Sequence, residues 1–218
     1  MIERVIIQAG ALALEGLLER PDGGAAWGGA VFCHPHPLYG GNMHNNVVAR
    51  VTPDLVRAGL VVLRFNFRGV GRSQGTYGEG MAEQQDVRAA LTYLAGAEGM
   101  AGKPLVALDY SFGGAVAARA VCRDPACLAA LMCIALPVGF AGLGDFEDLK
   151  SCVLPKLFLA GSEDGICPPP KLRELVGTLP EPKSLVVLDA TDHFFHSREA
   201  DLAVHITRFL AALRPGTR

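Results

Sequence analysis

Apolar and polar positions alternate along residues 4–8 and 12–18, the period-two pattern of strands with one buried face, and the Ala-Gly-Ala stretch between them suits a hairpin turn. An antiparallel pair therefore opens the chain. Beyond a glycine-rich connection at 21–25, predominantly apolar runs recur at 29–33, 60–65, 105–108, 128–135, 156–160 and 184–188. Each has strand length and lacks alternation, as expected of strands covered on both faces. Segments with helical spacing lie between them, at 47–58, 81–97, 169–178 and 199–213, with an alanine-rich helix after position 111 and a short one within 137–150. Val87, Leu91 and Leu94 mark one face of the second of these. Pro53 predicts a kink or a later true start for the first. Strands alternating with helices predict an α/β fold: a mostly parallel central sheet with an antiparallel N-terminal hairpin, helices on both faces and a minimal cap. Ligands are then received beyond the carboxyl ends of the strands.

Composition narrows the class. A chain of 218 residues suits one domain spanning 1–218, and 50% hydrophobic against 19% charged residues excludes disorder. A formal charge of −2 with no basic run leaves no handle for nucleic acid or an anionic membrane. Glu3 and Arg4 fall where the apolar region of a signal peptide would begin, and no apolar stretch reaches membrane-span length. A cytoplasmic protein is expected. Cys33, Cys122, Cys127, Cys133, Cys152 and Cys167 form no C-x-x-C pair and keep apolar company, which predicts buried reduced thiols rather than disulfides or metal ligands. Gly69 and Gly71 begin a G-x-G, but Gln74 stands where a dinucleotide loop needs its third glycine.

The chemistry gathers at the ends of the apolar runs. In "PLVALDYSFGGAVAA" a strand meets a helix at a small-residue corner, and Ser111 sits on it. Such a turn lifts the hydroxyl clear of the sheet and aims free N–H groups beside it, while Gly113 and Gly114 let helix and strand approach. A serine hydroxyl needs an imidazole as base and a carboxylate to orient that imidazole. "GSEDGICPP" places Asp164 just past one strand and "DATDHFF" places His193 just past the next, in the order serine, acid, histidine. Glu163 and Asp192 stand as alternative acids, and His193 as a cap on the last helix. An oxyanion also needs N–H donors. Phe112 supplies one; within "HPHP" only His36 retains a backbone N–H, since Pro35 and Pro37 have none. A metal-binding His34 and His36 pair, with His44 as third ligand, is the competing use of that loop.

The segments "HPHPLYGGNMHNNVV", "FNFRGVGRSQG", "DYSFGG", "GSEDGICP" and "DHFF" together resemble, in order and over nearly the whole chain, the compact bacterial branch of the α/β-hydrolase superfamily. The resemblance implies a single-domain α/β-hydrolase fold. It further implies a Ser111, Asp164 and His193 triad, main-chain donors at His36 and Phe112, and no cofactor. Asp109 departs from it, standing where such proteins carry glycine, and predicts altered or weak activity, with Asp109→Gly raising esterase turnover or stability. The expected activity is hydrolysis of a small-molecule carboxylic ester. A thioesterase or amidase using the same groups, and a catalytically silent binding protein on the same fold, are the alternatives. The short 137–150 segment, with Phe140, Leu143 and Phe146, predicts an open, shallow acyl site suited to short chains.

Overall fold

A computed structural model describes residues 1–23, 25–123, 128–140 and 146–214. Its strands are β1 (Ile2–Ala9), β2 (Leu12–Glu19), β3 (Gly28–Cys33), β4 (Leu60–Phe65), β5 (Leu105–Tyr110), β6 (Leu128–Ile134), β7 (Lys156–Gly161) and β8 (Lys183–Leu188). Its helices are α1 (Asn46–Arg57), α2 (Glu83–Gly96), α3 (Phe112–Val121), α4 (Glu147–Lys150), α5 (Pro169–Thr178) and α6 (Glu199–Leu213). One sheet contains all eight strands in the order β1-β2-β4-β3-β5-β6-β7-β8. The hairpin is antiparallel, with Ala9 paired to Leu12 across Gly10, and β2 runs antiparallel to β4. Every other pairing is parallel.

The unbroken apolar runs have the expected consequence, for β3, β4, β5 and β7 are buried at every residue. Their neighbours in space follow from handedness. The crossover from β3 through α1 moves to β4 on one side, and the next, through α2, returns past β3 to β5 on the other. Right-handed crossovers in opposite directions put α1 and α2 on opposite faces, so α1 packs with α6, and α2 with α3. The order thus reverses at β3, and the loops leaving β3 and β5 bound a crevice at the carboxyl ends of the strands.

Helix α1 does not wait for Pro53 to start. It begins at Asn46, capped by the Asn45 side chain, which accepts from the Val47 N–H, and it continues through Pro53 to Arg57. An interior proline costs about 3 kcal/mol. Val47, Val48, Val51 and Leu55 are all fully buried on this helix, and at roughly 1.5–3 kcal/mol for each such side chain the packing outweighs the break. Cys33, Cys122, Cys133, Cys152 and Cys167 are free and buried, while Cys127 lies outside the described residues. Among the described residues, no helix is long and apolar enough to cross a membrane.

Candidate active site

Ser111 occupies the single residue between β5 and α3, with φ 55° and ψ −117°. A side chain in that backbone region costs about 1–3 kcal/mol, so its surroundings must enforce it. The Ser111 N–H donates to the Ile134 carbonyl at 2.8 Å, and its own carbonyl accepts from the Gly114 N–H at 2.9 Å. Behind it, α3 abuts the end of β3. A Cβ on Gly113 would lie 2.8 Å from the His34 carbonyl oxygen and 2.9 Å from the Cys33 Cβ, so only glycine lets the helix start there.

The hydroxyl meets the two side chains expected of it. Ser111 Oγ lies 3.1 Å from His193 Nε2, and His193 Nδ1 lies 2.8 Å from Asp164 Oδ2. Asp164 is held from its other oxygen as well, because Oδ1 accepts from the N–H groups of Ile166 at 2.8 Å and Cys167 at 2.7 Å. An ionised carboxylate only accepts, which places the imidazole proton on Nδ1 and turns the Nε2 lone pair toward the serine. All three residues are buried. Glu163 and Asp192 are exposed, and Asp192 Oδ1 accepts the Phe194 N–H, so neither alternative acid bears on the imidazole. Nor does His193 cap α6, whose N-cap is Arg198.

One contributor has no sequence signal of its own. Tyr110, the last residue of β5, donates its hydroxyl to the His193 carbonyl at 2.7 Å and so ties the histidine loop to the strand that carries the serine.

Two loops frame the other side of Ser111. His34 Nδ1 donates to the Pro35 carbonyl at 2.6 Å and Nε2 accepts the Phe67 N–H at 3.1 Å, so the ring pins the loop after β3 to the loop after β4. Burial lowers its pKa to about 4 and keeps it neutral. With both nitrogens occupied by main chain, His34 has no atom to offer a metal. His36 stands further out, its Nδ1 accepting the Leu38 N–H at 3.2 Å and its ring 4.7 Å from that of Phe112. Among the described residues, no acceptor is found for the N–H of His36 or of Phe112.

Residues 66–82 are held by carboxylates that the sequence pattern does not single out. Glu83 accepts from the N–H groups of Gly78 at 2.6 Å and Gly80 at 2.8 Å, and Asp86 takes the Arg68 guanidinium at 2.7 Å and the Arg68 N–H at 3.0 Å. Both sit in the first turn of α2, where acidic side chains favour the helix N-terminus. That position was the available signal.

Two further expectations change. Phe146 is buried in the core and cannot wall an acyl site, Phe140 is exposed, and Leu143 lies outside the described residues. Asp109 does not reach the active site. Its carboxyl is fully buried beneath α3, between Cys33 and Cys133 on the flanking strands, and neither oxygen has a hydrogen-bond partner. Desolvation raises its pKa well above the carboxylate range, an effect the Cys33 thiol opposes without cancelling.

Comparison with known proteins identifies the family of the chain. A family model described as serine aminopeptidase, S33, matches residues 31–141. An uncharacterised protein of Rickettsia prowazekii is 36% identical over 190 residues, covering 85% of this chain and 79% of the relative. The structure of an α/β serine hydrolase homologue from Coxiella burnetii is 33% identical with a TM-score of 0.86, over 95% of this chain and 97% of its own. A lidless α/β serine hydrolase from Xanthomonas campestris is 30% identical with a TM-score of 0.88, over 100% of this chain and 97% of its own.

Proposed function

The chain belongs to the α/β-hydrolase superfamily, among its serine hydrolases, and from that premise we propose that it cleaves carboxylic esters of small or short-chain acids through Ser111, His193 and Asp164. The carrying observation is the unbroken succession of hydrogen bonds from hydroxyl to imidazole to a carboxylate already fixed by two main-chain N–H groups.

In this reading Ser111 Oγ attacks the ester carbonyl carbon while its proton passes to His193 Nε2. Asp164 stabilises the imidazolium and holds its orientation. The N–H groups of His36 and Phe112 receive the developing oxyanion, which each can do because neither has another acceptor among the described residues. Collapse breaks the bond to the alkoxide, and His193 returns the proton to it as alcohol. Water then enters and attacks the acyl carbonyl carbon as His193 takes its proton; collapse breaks the acyl-serine bond, His193 returns that proton to Ser111 Oγ, and the free acid leaves. Every step uses groups of the chain itself. Among the described residues of the segment before α4, Phe140 is exposed and Phe146 is buried in the core, so neither walls a long-chain site, which favours short acyl groups. The five thiols among the described residues, all buried and free, fit a reducing, cytoplasmic setting.

A fluorophosphonate probe should label the wild-type protein and fail to label Ser111→Ala; an unlabelled wild type would support a silent binding protein instead. Short-chain para-nitrophenyl esters should be hydrolysed faster than long-chain ones. A second reading, amide hydrolysis, draws on the description of the matched family as serine aminopeptidases. Turnover of amino-acid anilides exceeding that of short esters would favour it.

A further inference from the structure

A cavity of about 480 Å³ is lined by none of Ser111, His193 or Asp164. It is formed between the loop after β3, which contributes Leu38 and Asn42, and the loop after β4, which contributes Arg68 and Tyr77, with Glu15 also in its wall. Tyr77 connects it to the site. Its ring lies 5.9 Å from that of Phe112 and 5.2 Å from that of His36, the two residues whose N–H groups are assigned to the oxyanion.

The protons around Tyr77 can be placed by elimination. His36 Nδ1 accepts the Leu38 N–H, so in the neutral ring the proton is on Nε2. Burial lowers the pKa of His36 and favours that neutral form. Nε2 lies 3.2 Å from the Tyr77 hydroxyl oxygen, which therefore accepts from His36 and keeps its own hydrogen to give. Among the described residues no acceptor for that hydrogen is present. The hydroxyl also stays protonated, because desolvation and the nearby carboxylate of Glu83 both raise its pKa.

Resting on the serine-hydrolase reading above, we propose that the Tyr77 hydroxyl is a specificity-determining donor and that the cavity it lines receives the part of the ester carrying an uncharged oxygen acceptor, such as an ether or ketone. An anionic acceptor is disfavoured on the same observations. Glu15 faces the cavity, Glu83 lies behind Tyr77, and the guanidinium of Arg68 is already held by Asp86. A site that offers a fixed donor discriminates against the analogue lacking the acceptor, since the donor is otherwise left unpaired.

The test compares isosteric pairs. On the acyl side, para-nitrophenyl hexanoate is set against the methoxybutanoate in which one methylene becomes oxygen; on the alcohol side, pentyl acetate is set against methoxypropyl acetate. In one of the two series the ether should be preferred in kcat/KM by about fivefold, the size of one net hydrogen bond, and Tyr77→Phe should bring that ratio to near one. The ratio is read within each protein, so a general loss of activity in the variant does not obscure it. The acyl-side monoglutarate ester should be a poorer substrate than the hexanoate. Ether-to-alkyl ratios near one in both series, or a preference that survives in Tyr77→Phe, would overturn the inference while leaving hydrolysis by Ser111 intact. Absence of Ser111-dependent hydrolysis of every ester would instead overturn the reading on which it rests.

Discussion

Two carboxyl groups are buried at the carboxyl ends of β5 and β7, the strands on either side of β6, and their surroundings are opposite. Asp164, in the loop after β7, is met by two main-chain N–H groups and an imidazole. Asp109, on β5 two residues before the elbow serine, is met by nothing that donates at normal geometry. Burial alone penalises the charged form of both. In the first region the loop wraps its amide groups around the carboxylate and offsets the penalty; in the second the interior of a parallel sheet has already spent its N–H groups on the ladder. A loop can solvate a buried charge where a central strand cannot, which is why the orienting acid of this site belongs at a strand's end.

The largest expected effect falls on the solvated member. Asp164→Asn should lower kcat/KM for a short ester by about 10³–10⁴-fold, because a carboxamide can present N–H to Nδ1 and favour the wrong tautomer of His193. Steady-state kinetics against the wild type checks this, with fluorophosphonate labelling slowed in parallel. A loss under tenfold would mean that Asp164 does not orient the imidazole.

His34 supplies a third buried titratable group, solvated by main chain like Asp164 but in its uncharged form. Its pKa falls from 6.5 to about 4 on folding, so the unfolded chain binds the extra proton first as pH drops. Its contribution is therefore fully present above 6.5 and is lost as the pH falls through the window between 6.5 and 4, amounting to on the order of 3 kcal/mol below it. Urea unfolding across that window should show a shallower pH slope in His34→Gln than in the wild type. Equal slopes would mean that the ring takes up its proton alike in the folded and unfolded chains.

Much of this arrangement is legible in the order of residues. Strand β4 and helices α5 and α6 start and stop where the apolar patterning does, and Ser111, Asp164 and His193 each stand within five residues past the end of an apolar run. The ties between loops are not. The Tyr110 hydroxyl on the His193 carbonyl, the Glu83 carboxylate on Gly78 and Gly80, and the Tyr77 hydroxyl on His36 depend on paths through three dimensions that no local periodicity encodes. Phe146 is the converse case, since an isolated aromatic in a glycine-rich segment carries no mark of whether it faces solvent or core. Asp109 is conspicuous as a departure from the usual glycine, yet its lack of partners shows only in the packed sheet.

The unsolvated member should respond to truncation. Asp109→Ala keeps the Cβ, which already packs 3.8 Å from the Cβ position at Gly114, and removes the unpaired oxygens. A gain of about 1–3 kcal/mol is expected, the usual cost of a buried polar group left without a partner, less whatever the small cavity takes back. Because the folded pKa of Asp109 is raised, its contribution is intact below the unfolded value of 3.8 and erodes as pH rises toward the folded value. The advantage of Asp109→Ala should accordingly widen on going from acidic to mildly alkaline pH. A variant less stable than the wild type throughout would show that the carboxyl has found a partner.

The smallest effect gives the finest discrimination. If Asp109 is a neutral acid in the folded protein, a carboxamide of nearly the same shape replaces it with one unpaired polar group exchanged for another. Asp109→Asn should then lie within about 1 kcal/mol of the wild type at acidic pH, where both side chains are uncharged in either state. It should pull ahead only as pH rises and the wild type alone bears the cost of keeping a proton that the unfolded chain gives up. Thermal denaturation of the pair at several pH values separates the alternatives: curves that converge in acid and diverge in base follow from an unsolvated carboxyl, whereas an asparagine variant destabilised equally at every pH would mean that both oxygens of Asp109 accept hydrogen bonds, as those of Asp164 do.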